Sequence, residues 1–242
     1  CVIGNVIHTE QRDMYISRVV GVNGGMPHES GAMTVNRLCG SGLQAIISAS
    51  QYILLGDVDA AIGGGVESMS RAAYASLTQR WGARMGDAKI VDMMVGALTD
   101  PFDTVHMGIT AENVANKCGL TREQQDAFAV ESHKRAAAAI AAGHFKDQIV
   151  PVELKSKKGP VQFDTDEHVR GESSMESMGK LRAVFVKDNG TVTAGNASGI
   201  NDAAAAVVLM EKSAAQKRGL TPMARLVSYG HAGIDPKIMG LG

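Results

Sequence analysis

The sequence is poor in several residue types and patterns, and each shortage excludes a class of protein. Three widely spaced cysteines without a C-x-x-C pair cannot form a disulfide framework, which favours a reducing, cytoplasmic setting. A balance of 24 basic and 25 acidic residues excludes nucleic-acid binding through a basic surface. No run approaches the about 18 apolar residues of a membrane span, and no metal-ligand spacing occurs. Aromatics make up only 4%, which with abundant glycine favours tight α/β packing.

A strand–turn–helix–strand pattern occupies the first part of the chain. Ala32–Asn36 is predicted to be a short strand, and Cys39-Gly-Ser-Gly42 then opens an apolar helical pattern that should stop at Gly56. Val58–Ile62 is predicted to be a buried strand that runs into a close backbone approach at Gly63-Gly-Gly65. This order is typical of a parallel sheet with crossover helices.

The later parts of the chain carry clear helix signals and less certain strands. Thr121-Arg-Glu-Gln124 is a capping box, which predicts a helix that ends near Gly143. The apolar run Ala203–Met210 fits a helix or a strand equally well by periodicity. Glu211–Arg218 predicts a short helix, and Ala224–Tyr229 predicts a further strand.

Cys39 is the sharpest chemical feature, because it stands where a predicted strand meets a helix N-terminus. Thiols in such places feel the helix dipole and free backbone N–H groups, which favour the thiolate. The N–H of Cys39 could also donate to an oxyanion in acyl transfer. The residues alone leave two interpretations open, a nucleophile and a small buried hydrophobic side chain.

A cysteine nucleophile needs a base, and the histidines offer several candidates. His106 precedes a helical run, and His231 follows a predicted strand end. His144 and His168 lie among charges, as solvated histidines usually do. The loop Gly195-Asn-Ala-Ser-Gly199 has the composition of an anion-binding nest or of a plain turn. The sequence does not choose among these alternatives.

Four segments, in this order, resemble the signatures of one enzyme family. They are Val35-Asn-Arg-Leu-Cys-Gly-Ser-Gly-Leu43, Gly63-Gly-Gly-Val-Glu-Ser-Met-Ser70, His106-Met-Gly-Ile-Thr-Ala-Glu-Asn113 and Thr191-Val-Thr-Ala-Gly-Asn-Ala-Ser-Gly-Ile-Asn-Asp202. The chain resembles the thiolases essentially from end to end. It most resembles bacterial acetyl-CoA acetyltransferases and the related β-ketothiolases of polyhydroxyalkanoate biosynthesis.

The resemblance implies an α/β thiolase fold, with an incomplete N-terminal mixed-sheet α/β domain and an inserted α+β loop domain. Residues 1–70 would be the first part of that N-terminal domain, with its start missing. Residues 71–190 would be the loop domain, in which Trp81–Asp92 resembles a tetramerisation loop, and residues 191–242 would complete the N-terminal domain. The C-terminal catalytic domain is expected to be absent.

The resemblance also implies an enzyme of fatty acid metabolism, an acetyl-CoA C-acetyltransferase. Two acetyl-CoA would condense to acetoacetyl-CoA and CoA, or the reverse, through an acetyl-Cys39 intermediate. No cofactor or metal is expected, since coenzyme A thioesters are the substrates. A cytoplasmic homotetramer without nucleic-acid or membrane partners is expected.

Eight further residues match the family's CoA and acyl contacts by position. They are Leu98, His106, Met107, Arg170, Ser177, Phe185, Ala194 and Ser198. Arg170 would lie near the nucleotide end, Met107 and Phe185 against apolar portions, and Ser198 near the pantetheine amides. The resemblance assigns no chemistry to Cys118, His144 or His231.

Three segments of the family do not occur among the 242 residues, namely Asn-Glu-Ala-Phe, Gly-His-Pro and Cys-x-Gly-Gly. In the family they supply a water-holding asparagine, the histidine that activates the nucleophile, and a second cysteine. We therefore expect the 242 residues alone to be inactive. The alternatives are a longer-chain 3-ketoacyl-CoA thiolase, a non-catalytic CoA-binding fragment, and an unrelated Cys–His hydrolase that uses His106 or His231.

Overall fold

A computed structural model describes all 242 residues, Cys1 to Gly242. The α-helices are α1 (Ile16–Asn23), α2 (Ser41–Leu54), α3 (Met93–Ala97), α4 (Met107–Cys118), α5 (Arg122–Ala141), α6 (Met175–Gly179) and α7 (Lys212–Lys217). The strands are β1 (Val2–Gly4), β2 (Met33–Val35), β3 (Ala60–Ser68), β4 (Tyr74–Ser76), β5 (Ile90–Asp92), β6 (Val152–Leu154), β7 (Val161–Phe163) and β8 (Asp202–Met210). Short 3-10 helices span Gln11–Tyr15, Met69–Arg71 and Pro236–Leu241. None of the helices combines the length and apolarity needed to cross a bilayer.

The chain divides into two compact units. The sheet unit comprises Cys1–Thr104 and Ile200–Gly233, and the helical unit comprises Val105–Gly199 and Ile234–Gly242. The domain limits expected after residues 70 and 190 stay a prediction, since a compact unit need not coincide with a domain of the family.

The sheet unit is built on a four-stranded mixed sheet in the order β2-β1-β3-β8. Strand β1 runs parallel to both neighbours, so that Val2 pairs with Met33 on one side and Gly63 on the other. Strand β8 runs antiparallel to β3 along its whole length, from Met210 opposite Ala60. The ambiguous apolar run at 203–210 is therefore a strand, because its ladder with β3 satisfies the backbone groups on that side. The second sheet of the unit is the β4-β5 pair.

Helix α2 packs closely on this sheet through small residues. Ala45 and Ala49 are fully buried and form the core with Val2 and Ala61. A Cβ placed on Gly63 would lie 2.9 Å from the Cα of Ile46, so only glycine allows this approach. The close backbone approach predicted at Gly63 is thus confirmed.

The helical unit contains α4, α5, α6 and the β6-β7 hairpin. Helix α5 confirms the capping-box prediction: Thr121 Oγ1 accepts from the Gln124 N–H, and the Gln124 side chain accepts from the Thr121 N–H. Gly143, with a φ of 75°, follows the helix end as predicted.

In the sheet unit, one of the two predictions for residues 211–229 is confirmed and the other is wrong. Helix α7 forms where predicted, between its N-cap Glu211 and Gly219 with a φ of 69°. The strand predicted at Ala224–Tyr229 is wrong, because this exposed segment pairs with no strand. A strand exists only where a neighbour satisfies its N–H and C=O groups. Strand β1 was not predicted, since three residues carry too little pattern to mark a strand. Helix α1 was not predicted either.

Candidate active site

Cys39 lies in the sheet unit, in a tight turn between β2 and α2. Leu38 just before it has a φ of 47°, a conformation that a branched side chain rarely adopts. The Ser41 N–H and hydroxyl both donate to the Leu38 carbonyl, at 3.0 and 2.6 Å. The Arg37 N–H donates to Ser41 Oγ at 2.8 Å. The turn therefore presents Cys39 as an exposed thiol and not as a buried core side chain.

The Cys39 turn rests directly on the end of β1. A Cβ on Gly4 would lie 2.6 Å from the carbonyl carbon of Ser41 and 2.8 Å from the nitrogen of Gly42. A Cβ on Gly65 of β3 would lie 3.4 Å from the Cα of Gly42. Because backbone meets backbone here, the first turn of α2 has no room to shift, and the position of Cys39 is well determined.

A polar cluster forms around the Arg37 side chain within the same unit. Arg37 Nη1 donates to Gln44 Oε1 at 2.9 Å and approaches His231 Nδ1 at 2.5 Å. Since an arginine only donates, His231 Nδ1 must accept, which uses one ring nitrogen of this candidate base. The Tyr229 ring lies 5.8 Å from the His231 ring. A base role for His231 stays a hypothesis.

Two of the quoted signature segments meet at the end of β3. Asp202 accepts from the Ser70 N–H at 2.8 Å and from the Ser70 hydroxyl at 2.5 Å. The hydrogen bond from the Ser70 hydroxyl lowers the pKa of Asp202 below its ordinary value. This contact ties the start of β8 to the segment that follows the glycine run.

In the helical unit, two of the predicted contact residues are brought together. The rings of His106 and Phe185 stack with centroids 4.7 Å apart and planes 21° apart. His106 caps α4, where its Nδ1 accepts from the Gly108 N–H at 3.0 Å. A Cβ on Gly108 would lie 2.1 Å from the Phe185 ring, so glycine leaves room for the stack. Met107, the next predicted residue, is half-buried.

The loop Thr191–Gly199 carries two further predicted residues, Ala194 and Ser198, both exposed. Two buried carboxylates hold it: Glu112 accepts from the Thr191 and Val192 N–H groups, and Asp126 accepts from the Asn196 side chain. Sequence reasoning missed both carboxylates. Glu112 stands in a quoted signature segment, which is the only signal that could have found it.

Three predicted residues remain, Arg170 and Ser177 in the helical unit and Leu98 in the sheet unit. Arg170 is exposed, and its N–H donates to His133 Nδ1 at 3.2 Å. Ser177 belongs to the capping box of α6, where its hydroxyl accepts from the Ser174 N–H at 3.0 Å. Leu98 is the half-buried C-cap of α3 in the sheet unit. Their contacts with CoA stay predictions.

The other histidines and cysteines form no cluster that could bind a metal ion. The His168 ring lies 5.8 Å from that of His133, and no group of three or more His, Cys, Asp or Glu side chains could hold a metal ion. Cys118 is exposed at the last residue of α4.

A mixed α/β sheet that carries an exposed cysteine on a glycine-supported turn, together with the four signature segments, defines the class of this protein. The chain belongs to the thiolase family: residues 1–213 match the family described as thiolase, N-terminal domain. The resemblance stated from the sequence and the expected thiolase fold are thereby confirmed.

The chain is also similar to individual thiolases of known sequence or structure. The beta-ketothiolase BktB of Cupriavidus necator is 68% identical over 241 residues, which cover 100% of this chain and 61% of that protein. The acetyl-CoA acetyltransferase of Syntrophomonas wolfei is 52% identical over 230 residues, 94% of this chain and 58% of that protein. The crystal structure of human mitochondrial 3-ketoacyl-CoA thiolase has a TM-score of 0.95 at 43% identity, and the match covers 100% of this chain and 61% of that one. The chain thus spans about three fifths of these proteins' lengths.

Proposed function

We propose that the chain carries the nucleophile of an acetyl-CoA C-acetyltransferase. The Cys39 thiolate attacks the carbonyl carbon of acetyl-CoA, the carbon–sulfur bond to CoA breaks, and CoA leaves as its thiol after taking up a proton. A base then removes a proton from the methyl group of a second acetyl-CoA, which balances the proton that CoA took up. The resulting enolate attacks the carbonyl of acetyl-Cys39, the carbon–sulfur bond to Cys39 breaks, and acetoacetyl-CoA and the thiolate are released. The observation that carries this proposal is the exposed Cys39 thiol on its sterically fixed turn.

The CoA contacts form the second part of the proposal. The predicted contacts remain Leu98, His106, Met107, Arg170, Ser177, Phe185, Ala194 and Ser198. Human mitochondrial 3-ketoacyl-CoA thiolase has been solved in complex with CoA, and this chain matches it with a TM-score of 0.94 at 42% identity. That likeness, the His106–Phe185 stack and the held loop at 191–199 support CoA binding by these residues.

Longer 3-ketoacyl-CoA thioesters are the second candidate substrates. The likeness to human mitochondrial 3-ketoacyl-CoA thiolase favours this alternative, and the identity to bacterial acetyl-CoA acetyltransferases favours short acyl groups. The relative rates of thiolysis on four-carbon and longer 3-ketoacyl-CoA discriminate between them. A role in polyhydroxyalkanoate synthesis is proposed from the similarity to a bacterial beta-ketothiolase.

We also propose a cytoplasmic homotetramer that forms through Trp81–Asp92. Trp81 and Met85 are 89% and 98% exposed in this segment, and two such large apolar side chains within five residues support an interface role.

Acetyl labelling tests the nucleophile assignment. The protein as its gene encodes it is incubated with acetyl-CoA, digested, and examined by mass spectrometry. We expect one acetyl group on the Cys39 peptide, and Cys39→Ser should abolish the label and lower thiolysis by roughly a thousand-fold or more. Cys118→Ser is the matched control, because it removes an exposed thiol with no assigned role. Labelling elsewhere, or full activity without Cys39, would overturn the assignment.

The 242 residues alone are expected to give no turnover, because the family's activating histidine and second cysteine segments do not occur among them. Measurable thiolysis of acetoacetyl-CoA by this stretch alone would contradict that expectation. A non-catalytic CoA-binding role would show as CoA binding without any acetyl-Cys39. An unrelated Cys–His hydrolase would release acetate in place of transferring acetyl to CoA.

A further inference from the structure

The loop Thr191–Gly199 is fixed by a carboxylate that the proposed chemistry does not use. Glu112, in the middle of α4, is only 4% exposed. Its Oε1 accepts from the Thr191 N–H at 2.8 Å and from the Val192 N–H at 2.9 Å, and its Oε2 accepts from the Thr191 hydroxyl at 2.7 Å. Charge-assisted hydrogen bonds of this kind are about twice as strong as neutral ones. Glu112 therefore holds the first residues of the loop.

A second buried carboxylate holds the middle of the loop. Asp126 of α5 is 2% exposed, and its Oδ1 accepts from Asn196 Nδ2 at 2.9 Å. Its Oδ2 accepts from Arg122 Nε at 2.7 Å. Arg122 in turn donates to the carbonyls of Met178 and Leu181, at 2.7 and 3.0 Å. Each oxygen of Asp126 thus has a partner, which a buried charge requires.

Asn196 closes the loop on itself. Its Oδ1 accepts from the Thr193 N–H at 2.7 Å, and its Nδ2 also donates to the Thr191 carbonyl at 2.9 Å. Side chains press on the loop at Gly195, where a Cβ would lie 2.4 Å from the sulfur of Met178. Side chains of three helices, α4, α5 and α6, therefore hold the backbone on either side of Ala194.

We propose that Glu112 and Asp126 are positioning residues, which fix the loop that presents Ala194 and Ser198 to a CoA thioester. The inference rests on the proposed function, because it takes these two residues as CoA contacts. A loop already ordered in its binding conformation does not lose that freedom when the ligand arrives, so affinity rises. The carboxylates act through the loop and touch no substrate themselves.

The test compares substitutions in the protein as its gene encodes it. Glu112→Ala removes every bond to Thr191 and Val192, and we expect the KM for CoA in thiolysis to rise about ten-fold with kcat within about three-fold. Glu112→Gln should restore KM to within about three-fold, because its amide oxygen still accepts from both N–H groups and its NH2 can donate to the Thr191 hydroxyl. The one bond it loses is the 3.0 Å contact from the Thr191 N–H to Oε2, since an NH2 group cannot accept. Glu131→Gln, an exposed carboxylate of α5 paired with Arg135, is the matched control and should change nothing.

Hydrogen exchange of the Thr191 and Val192 amides, measured without CoA, supplies an independent readout. We expect exchange about ten-fold faster or more in Glu112→Ala and unchanged in Glu131→Gln. Asp126→Asn keeps the side-chain shape but sets an amide against either Asn196 or Arg122, and should raise KM by about three-fold or more. This variant keeps the proposal testable even where Glu112→Ala does not fold.

The possible outcomes separate the inference from the proposed function. Faster exchange with an unchanged KM would overturn the positioning role, because the carboxylates would then hold the loop without serving CoA. Equal falls in kcat and thermal stability with no recovery in Glu112→Gln would overturn it too. Failure of the unsubstituted protein to acetylate Cys39 would instead reject the proposed function, and exchange would still show whether Glu112 holds the loop.

Discussion

The Cys39 turn and the loop Thr191–Gly199 are both held in place, but by different physical means. Around Cys39, backbone presses on backbone: Gly4 meets the first turn of α2 with no space for a side chain, and Gly65 packs beside the same turn. Around the loop, buried side chains accept hydrogen bonds from backbone N–H groups, as Glu112 does for Thr191. The Cys39 turn depends on glycines, which have no side chain, and the loop depends on charged carboxylates.

This difference indicates what each region tolerates. Steric contact between backbones rises steeply in energy and cannot be relieved by rotating a side chain, so an added methyl group at Gly4 is costly. A buried carboxylate that accepts hydrogen bonds cannot lose its oxygens without leaving buried N–H groups unsatisfied. A nucleophile that must stay in place suits the first arrangement, and a ligand-facing loop suits the second.

The largest expected effect comes from Gly4→Ala, which attacks the steric arrangement directly. The new Cβ would lie 2.6 Å from the Ser41 carbonyl carbon, so β1 or α2 must move. We expect the free energy of unfolding to fall by about 3 kcal/mol, as measured by urea denaturation. Gly31→Ala in the same unit meets nothing within 4 Å and serves as the control. Equal stability of the two variants would contradict the steric account.

An intermediate effect is expected from Gly108→Ala, which places the same methyl group in the helical unit. Here the Cβ meets the Phe185 ring and not a backbone, so the ring can swing aside. The cost should be about 1 kcal/mol, the loss of the His106–Phe185 stack. Gly179→Ala, with nothing within 4 Å, is the control, and urea denaturation again measures the change. If the free energy of unfolding fell as much as in Gly4→Ala, a contact with a side chain would be as costly as one with backbone, and the distinction would be wrong.

The smallest effect is expected from Glu211→Gln, which removes an exposed charge from the sheet unit. Hydrogen bonds from the Ser213 hydroxyl, first, and from the Ser213 and Ala214 backbone N–H groups lower the pKa of Glu211 from its ordinary 4.5 to about 2. Because the folded pKa is the lower one, Glu211 stabilises the fold above pH 4.5 and loses that contribution as pH falls through about 2.

Urea midpoints measured at several pH values between about 5 and 2 check this prediction. The difference between wild type and Glu211→Gln should be small, because solvent screens an exposed group, and should shrink as pH falls. Glu29→Gln, another exposed carboxylate of the sheet unit, is the control. A difference that grows toward low pH would show that the sign is wrong.

Elements with local signals were predictable from the sequence. The capping box at Thr121 and the N-cap Glu211 with Gly219 both act within a few residues, so their helices formed where expected. Pairing is not local: the run Ala203–Met210 became a strand only because β3 lies beside it, and Ala224–Tyr229 found no such neighbour.

The candidate site shows the same division between local and distant causes. The turn that carries Cys39 was predictable from its position before a helix. The left-handed Leu38 was not, because leucine propensity opposes that conformation and tertiary contacts override it. Glu112 gives no local sign of its partners, which lie at Thr191 and Val192 far along the chain.

Strand β8 forms one margin of the four-stranded sheet, and its outer row of backbone groups pairs with no strand of the chain. Between Ala203 and Val208 it carries neither charge nor proline, and Val208 is 72% exposed. A margin of this kind is a template on which strands of other molecules add, which drives aggregation. A lysine placed in the middle of this strand is therefore expected to act as a gatekeeper against self-association, which light scattering at high protein concentration would measure.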